Sequence, residues 1–379
     1  MPARPGPAGP GGPGAAPAPA VRPVRGAAFY HAAVRTPDQQ PRPRPRDRSL
    51  PPDPDRRSGA PAGDRRTGPP GELRIAKGHG TENDFVLVPD PDGTLELTGR
   101  AVRALCDRRA GLGADGVIRV VRSRCLPEGE ALAGRAEWFM DYRNADGSPA
   151  EMCGNGVRVF VRYLLRHGLA DLPVGAALPV GTRAGARVVR REGGLLAVDL
   201  GPWRLPGGRA ALAAGGDVGV MAHGGDRPAP GLRVEVGNPH VVTRAEDLMA
   251  LDAVRLDRAP VLEPAPPGGA NVEFAVRTDV PRAAGRDRGR LRMRVHERGS
   301  GETRSCGTGV VAAALATRAL AGPGAPGDWT VDVPGGRLEV RIPGKDPLEG
   351  RSVWLVGPAV LVAAGTVDPD WWDSLVTRT

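Results

Sequence analysis

Apolar positions along the chain alternate between a period of two and a helical period. From Leu73, "ELRIAKGHGTENDFVLVPD" reads as a strand, a polar glycine-bearing loop and a second strand over Phe85–Val88. In "TGRAVRALCDRRAG" the period changes: Val102, Leu105 and Cys106 fall at i, i+3 and i+4. That spacing predicts a helix stopping near Gly111. "GVIRVV" and "AEWFMDYRNADGS" predict strands, the second running into an Asn-Ala-Asp-Gly turn. After Cys153 an apolar helix is predicted to about His167, ended by Gly168. Short strands are expected at Arg187–Val189 and Leu195–Leu200, then a loose Gly/Ala-rich stretch over Gly201–Gly231. Strand patterns resume at "LRVEV", "HVVT", "NVEFAV" and "LRMRVHE". A second apolar helix is predicted from about Gly309 to Leu320, and "WTVDV", "RLEVRI" and "SVWLVGPAVLV" make a strand-rich end.

The order strands, apolar helix, strands thus occurs twice, and the two helices open alike. "EMCGNGVRVF" begins at Glu151 and "SCGTGVVA" at Ser305. Asn144 precedes Cys153 by nine residues and Glu297 precedes Cys306 by nine. Matched offsets predict two halves related by duplication.

Composition narrows the picture. Residues 1–70 hold 18 of the 41 prolines and 12 Arg against 5 Asp, a net of +7 out of +9 for the chain. They cannot bury much apolar surface and are expected to be disordered. The basic balance therefore belongs to this extension, and a nucleic-acid-binding core is not implied. Only Lys77 and Lys345 are lysines, as codon bias would produce. There is no apolar run long enough for a membrane span, and Pro and Arg interrupt every candidate signal segment. Four cysteines make no disulfide scaffold in so long a chain, and a reducing cytoplasm fits.

Cys153 and Cys306 carry the candidate chemistry. Each precedes a helix start, where free N–H groups and a partial positive charge favour an anion. The same environment is expected to lower a thiol's pKa. Two such thiols across one cleft suit removal of a proton from one face of a carbon and delivery to the other. Neither cysteine has a second Cys or His at zinc-ligand spacing, so no metal is expected. Cys106 reads as core packing, and Cys125 has no assigned role.

With these residues in view, the sequence resembles the diaminopimelate epimerase family over about Leu73 to Val362. The motifs are "KGHGTENDF" (Lys77–Phe85), "GADG" (Gly113–Gly116), "NADGSPAEMCGNGVR" (Asn144–Arg158), "GNPH" (Gly237–His240), "ANVEF" (Ala270–Phe274) and "ERGSGETRSCGTG" (Glu297–Gly309). The resemblance implies an α+β fold of two pseudosymmetric domains, each a mixed β-barrel-like sheet around a central helix, with the active site in the cleft between them. It implies domains at 71–200 plus 357–379 and at 201–356, after the extension at 1–70. Cys153 is then the proton donor and Cys306 the acceptor from LL- to meso-diaminopimelate, with the labels exchanged in reverse. Gly154, Asn155, Gly307 and Thr308 become the α-carboxylate cradle. Asn83, Asn144, Asn238, Asn271 and Arg298 become further substrate contacts, with Glu297 holding the α-ammonium. His240 and Glu297 are expected to tune the thiols.

The resemblance also implies no cofactor, a diaminopimelate substrate, a cytoplasmic homodimer, and no nucleic-acid or membrane partner. The related alternative is a proline or hydroxyproline racemase, whose monocarboxylic substrate needs no distal clamp like Arg298. A non-enzymatic alternative is an acid-binding protein driven by the basic extension. Glu82 departs from the family pattern, where a smaller or amide-bearing residue is expected.

Overall fold

The two periods read from the sequence become strands and helices in the folded chain. The computed structural model describes residues 72–278 and 288–376, all within one compact unit; the extension at 1–70 lies outside the described residues. The chain opens with β1 (Arg74–Gly80), β2 (Asn83–Pro89), α1 (Gly99–Cys106), β3 (Gly116–Arg122), α2 (Pro127–Glu130), β4 (Trp138–Asn144) and α3 (Gly154–Arg166). Next come β5 (Ala177–Val180), β6 (Arg187–Glu192), β7 (Leu195–Asp199), β8 (Trp203–Arg204), α4 (Gly208–Ala214), β9 (Val218–Met221) and β10 (Ala229–Val236). They are followed by β11 (Asn238–Arg244), α5 (Leu248–Ala253), β12 (Val261–Glu263), β13 (Asn271–Arg277), β14 (Arg288–Glu297) and β15 (Gly301–Thr303). The chain then forms α6 (Gly307–Ala321), β16 (Asp328–Val333), β17 (Gly336–Arg341), β18 (Glu349–Gly350), β19 (Trp354–Gly357), β20 (Val360–Thr366) and α7 (Pro369–Val376).

Two helices are enclosed. Ten of the 13 residues of α3 and 11 of the 15 of α6 are buried. A helix wrapped on all sides needs apolar residues on all sides. The α6 run "VVAAALA" provides them with side chains small enough for strands to approach. Around α3 the strands run in the order β20-β1-β2-β3-β4. Backbone hydrogen bonds from Met140 N to Gly181 O and from Gly181 N to Trp138 O (both 2.8 Å) bring the segment after β5 against β4. From β5 the second sheet continues β5-β6-β7-β19-β17-β16-β14-β13-β11-β10. The sheet therefore passes from one half to the other through β7, β19 and β17. The mixed sheets and central helices match the expected α+β fold, but no closed barrel is found among the described strands. The last strand, β20, pairs antiparallel with the first, β1.

Local details differ from the sequence-based expectation for physical reasons. The stretch Gly201–Gly231 is not loose. It contains β8, α4, β9 and the start of β10, with α4 stopped by Gly215 at φ 78°. Elements this short show barely one period of any pattern. The helix expected to reach Gly111 ends at Cys106, where Asp107 takes an extended conformation. The chain folds back so closely that a Cβ at Gly111 would lie 1.9 Å from Ala104 O. No element was expected after β20, yet α7 packs Trp372 into the cluster formed with Leu105 and Val102.

The β1–β2 turn meets the β16–β17 turn across the two halves. A Cβ at Gly335 would sit 1.9 Å from Thr81 O. Gly335→Ala is therefore expected to push these turns apart, lowering stability by about 1–3 kcal/mol. Urea unfolding monitored by circular dichroism measures this; an unchanged midpoint would show that the contact gives way freely.

Candidate active site

The starts of α3 and α6 touch. Cys153 and Cys306 occupy the N-cap positions, both with extended backbones and neither side chain capping its helix. A Cβ at Gly154 would lie 3.9 Å from Gly307 Cα, and one at Gly307 would lie 3.2 Å from Asn155 N. Leu355 closes on both glycines, at 2.9 and 3.1 Å from those Cβ positions. Larger residues at either site would force the helix starts apart. The uncapped N–H groups of two helices are thus collected in one place, the arrangement that accepts an anion.

On the α3 side a polar network holds Cys153. Its Sγ donates to Asn83 Oδ1 at 3.6 Å. Asn155 Nδ2 donates to the same oxygen at 3.2 Å and to Ser305 O at 3.2 Å, linking the halves. Asn83 Nδ2 donates to Asp115 Oδ2 at 2.8 Å, and Arg108 Nη2 donates to Asp115 Oδ1 at 2.7 Å. Asn83 follows a turn in which Thr81 (φ 50°) and Glu82 (φ 62°) are both left-handed. That conformation is uncommon for a β-branched residue. Ser305 Oγ lies 2.7 Å from Thr81 Oγ1, and Arg304 pairs with Glu82. Glu82 thus forms an exposed ion pair between the halves.

On the α6 side Glu297 and Glu273 surround Cys306. Glu297 accepts from Thr303 Oγ1, and its carboxylate acts on the Cys306 thiol through its charge. Burial raises the Glu297 pKa. Cys306 Sγ is 3.6 Å from Thr308 Oγ1. Glu273 is wholly buried, with Oε1 2.7 Å from His240 Nδ1 and Oε2 unpartnered. It lies under the helix start: a Cβ at Gly309 would be 2.6 Å from its Oε1. His240 Nε2 in turn is 2.8 Å from Asn238 Oδ1.

The remaining candidates make separate local contacts. Arg298 N donates to Asn271 Oδ1 at 2.9 Å, and its exposed guanidinium donates to Gly268 O at 2.6 Å. Asn144 Nδ2 donates to Ser148 Oγ at 3.1 Å inside its own turn, and among the described residues its side chain makes no hydrogen bond to another candidate. A cavity of about 970 Å³ opens beside Asn238 and His240, but its walls include neither cysteine. Among the described residues no cluster of three or more His, Cys, Asp or Glu could hold a metal ion.

The thiols depart from the sequence-based expectation. Burial outweighs the helix ends and raises both. Cys153 is pushed up to about 11, with the Gly156 and Asn155 N–H groups and Arg158 drawing it back and Glu297 opposing them. Cys306 is pushed well above its usual range by burial, then by the Glu297 and Glu273 carboxylates. His240 touches Glu273, not a thiol. Glu273, Arg158, Asp115 and Ser305 were missed as site residues. A charged residue in the apolar run "NVEFAV" was the available signal for Glu273; Arg158 shares its helix with Arg162 and Arg166, so nothing in the sequence singled it out.

The fold is that of a known class. A PhzF-family phenazine biosynthesis protein from Bacillus anthracis matches at TM-score 0.56 and 16% identity, over 78% of this chain and 99% of that one. A hydroxyproline epimerase from Agrobacterium vitis matches at TM-score 0.52 and 15% identity, over 82% and 99%. Together with the paired cysteine-capped helices, this places the chain in the two-half fold shared by PhzF proteins and amino-acid epimerases. Sequence similarity narrows the class. The profile described as "Diaminopimelate epimerase" matches residues 75–205 and 232–362, once in each half. The diaminopimelate epimerase of Thermobifida fusca is 53% identical over 78% of this chain and 98% of its own length. That of Streptomyces coelicolor is 46% identical over 80% and 98%. The chain belongs to the diaminopimelate epimerase family of isomerases.

Neutralising the buried carboxylate beneath α6 tests the electrostatics. Glu273→Gln removes a repulsion that raises the Cys306 thiol, so its pKa is expected to fall while that of Cys153 holds. A pH titration of thiolate ultraviolet absorbance, one cysteine at a time in Ser-substituted backgrounds, measures both. An unmoved Cys306 would place Glu273 outside its field.

Proposed function

We propose that the protein interconverts LL- and meso-diaminopimelate by two-base proton transfer at the α-carbon. The observation that carries this is the contact between the two cysteine-capped helix starts. The α-carboxylate docks on the N–H groups of Gly154, Asn155, Gly307 and Thr308, where both helix ends favour negative charge. One cysteine acts as thiolate and takes the α-proton: the C–H bond breaks, an S–H bond forms, and the electron pair stays on carbon. The other, a thiol on the opposite face, gives its proton to that carbon and becomes the thiolate. From LL to meso, Cys306 is the acceptor and Cys153 the donor; the reverse reaction exchanges them.

Positive helix ends and exclusion of water stabilise the carbanion. Glu297 holds the α-ammonium, with His240 and Glu273 setting the field around Cys306. Asn83, Asn144, Asn238, Asn271 and Arg298 bind the remainder of the substrate, Arg298 as the carboxylate clamp. The reaction as written needs no cofactor. The domains are 71–200 with 357–379, and 201–356. The reaction serves lysine and peptidoglycan precursor synthesis in the cytoplasm.

Deuterium uptake from D2O at the α-carbon of LL-diaminopimelate tests the chemistry. Cys153→Ala and Cys306→Ala are each expected to reduce epimerisation by about 10²–10⁴-fold, the scale of a lost acid or base. Normal turnover in either variant would remove the two-thiol mechanism.

The protein acts as a homodimer through β20. This edge strand exposes Val360 (43%) and Val362 (63%) on one side, and no described strand pairs with its outer edge. An exposed apolar edge favours pairing with another chain. Val362→Lys is expected to shift the sedimenting species from dimer to monomer; a dimer that persists places the interface elsewhere.

A further inference from the structure

The two helix starts match in backbone and differ in charge. Five residues after Cys153 stands Arg158; five after Cys306 stands Val311. Beneath Gly156, three residues after the first cysteine, lie Ile118 Cδ1 and Met140 Sδ. Beneath Gly309, three after the second, lies the Glu273 carboxylate. One thiol therefore has a buried cation nearby and the other a buried anion.

Arg158 is wholly buried. Its guanidinium donates to Gly154 O (3.2 Å), Asn155 Oδ1 (2.7 Å) and Pro358 O (3.3 Å), all neutral oxygens. No described carboxylate pairs with it. Its space is kept by glycines: a Cβ at Gly80 would be 3.1 Å from Nη2, and one at Gly357 would be 3.3 Å from Cζ. A buried charge without a counter-charge is costly, and the anionic group whose charge acts on Arg158 is the Cys153 thiolate. Arg158 also fixes the Asn155 amide. With Oδ1 taken by Arg158, Nδ2 must face Asn83 and Ser305.

We propose that Arg158 is the positioning residue that places the thiolate on Cys153 and leaves the proton on Cys306 in the active free enzyme. The inference rests on the two-thiol reading above and adds which thiol ionises first. The other ionisable groups facing Cys153 are Tyr142 from β4 and Glu297 from β14, with Asp115 behind Asn83. Those facing Cys306 are Glu297 and Glu273, with His240 behind Glu273. Glu297 opposes ionisation at both thiols; beyond burial and the hydrogen-bond donors at each helix start, Cys153 faces the Arg158 cation and Cys306 the Glu273 carboxylate. On ionising, Cys153 gives up its donated bond to Asn83, while the N–H groups of Asn155 and Gly156 favour the thiolate. The Cys153-thiolate form is the one that takes the α-proton in the meso-to-LL direction. An LL-to-meso turnover starts from the Cys306 thiolate and leaves the thiolate on Cys153, so in either direction the proton must return between the thiols before the next turnover.

Iodoacetamide alkylation of the substrate-free protein across a pH series, resolved by peptide mass mapping, tests the proposal. In the wild type Cys153 is expected to be labelled at lower pH than Cys306. In Arg158→Met the Cys153 rate below its midpoint is expected to fall by about tenfold or more, one pH unit, with Cys306 unchanged. Arg158→Lys, which keeps the charge, is expected to recover most of that rate. Cys306 labelled first in the wild type overturns the proposal without any variant. So does a Cys153 profile unmoved in Arg158→Met that retains its circular dichroism. Deuterium exchange in the wild type separates the two readings. Its absence would remove the epimerase reading, whereas a reversed labelling order with exchange intact would overturn this proposal alone.

Discussion

Two helix N-termini in contact repel each other, and much of the site is arranged around that repulsion. Each end carries roughly half a positive charge. Two half-charges about 5 Å apart at a protein-like dielectric oppose each other by about 1 kcal/mol. Neither helix spends a capping side chain on its free N–H groups, and a buried guanidinium adds to the same region. The fold tolerates this because α3 and α6 are each packed by strands along their length. An anion between the ends relieves the repulsion. In the proposed reading, the pull on a carboxylate comes from the main chain and its packing before any side chain reaches the ligand.

The same crowding explains the small residues. Gly154 and Gly307 allow the helices to meet, and Gly309 admits a carboxylate beneath one of them. The halves are further joined by Asn155 to Ser305, by Thr81 to Ser305 and by Glu82 to Arg304. The sheet itself crosses from β7 to β19 and β17. Substituting a smaller residue at Glu82 would cost an exposed ion pair, which is worth little. The strained turn beside it matters more, because that turn aims Asn83 at Cys153.

Features written locally were legible in the sequence. Cys-Gly-x-Gly before an apolar run located both helix starts, and period-two runs located most strands. Asn271 with Arg298 and Asn238 with His240 meet in space after being named from motifs alone. What depended on tertiary packing was hidden. The helix-end effect on a thiol is local and was anticipated; the larger desolvation comes from residues far along the chain and was not. Arg158 read as one arginine among many because its lack of a carboxylate partner exists only in three dimensions. Short elements such as α4 and β9 offer too few positions for a period to emerge.

The pairing of β20 with β1 joins the last strand of the chain to the first. During synthesis β1 leaves the ribosome nearly 290 residues before its neighbour. Until then the edge that β20 covers is bare, and the polypeptide carries an incomplete sheet through most of its translation. Arg158 has to wait as well, because Pro358 O, one of its three acceptors, is added just before β20. The thiol environment is therefore assembled last, and a nascent or truncated chain holds both cysteines without the field that distinguishes them.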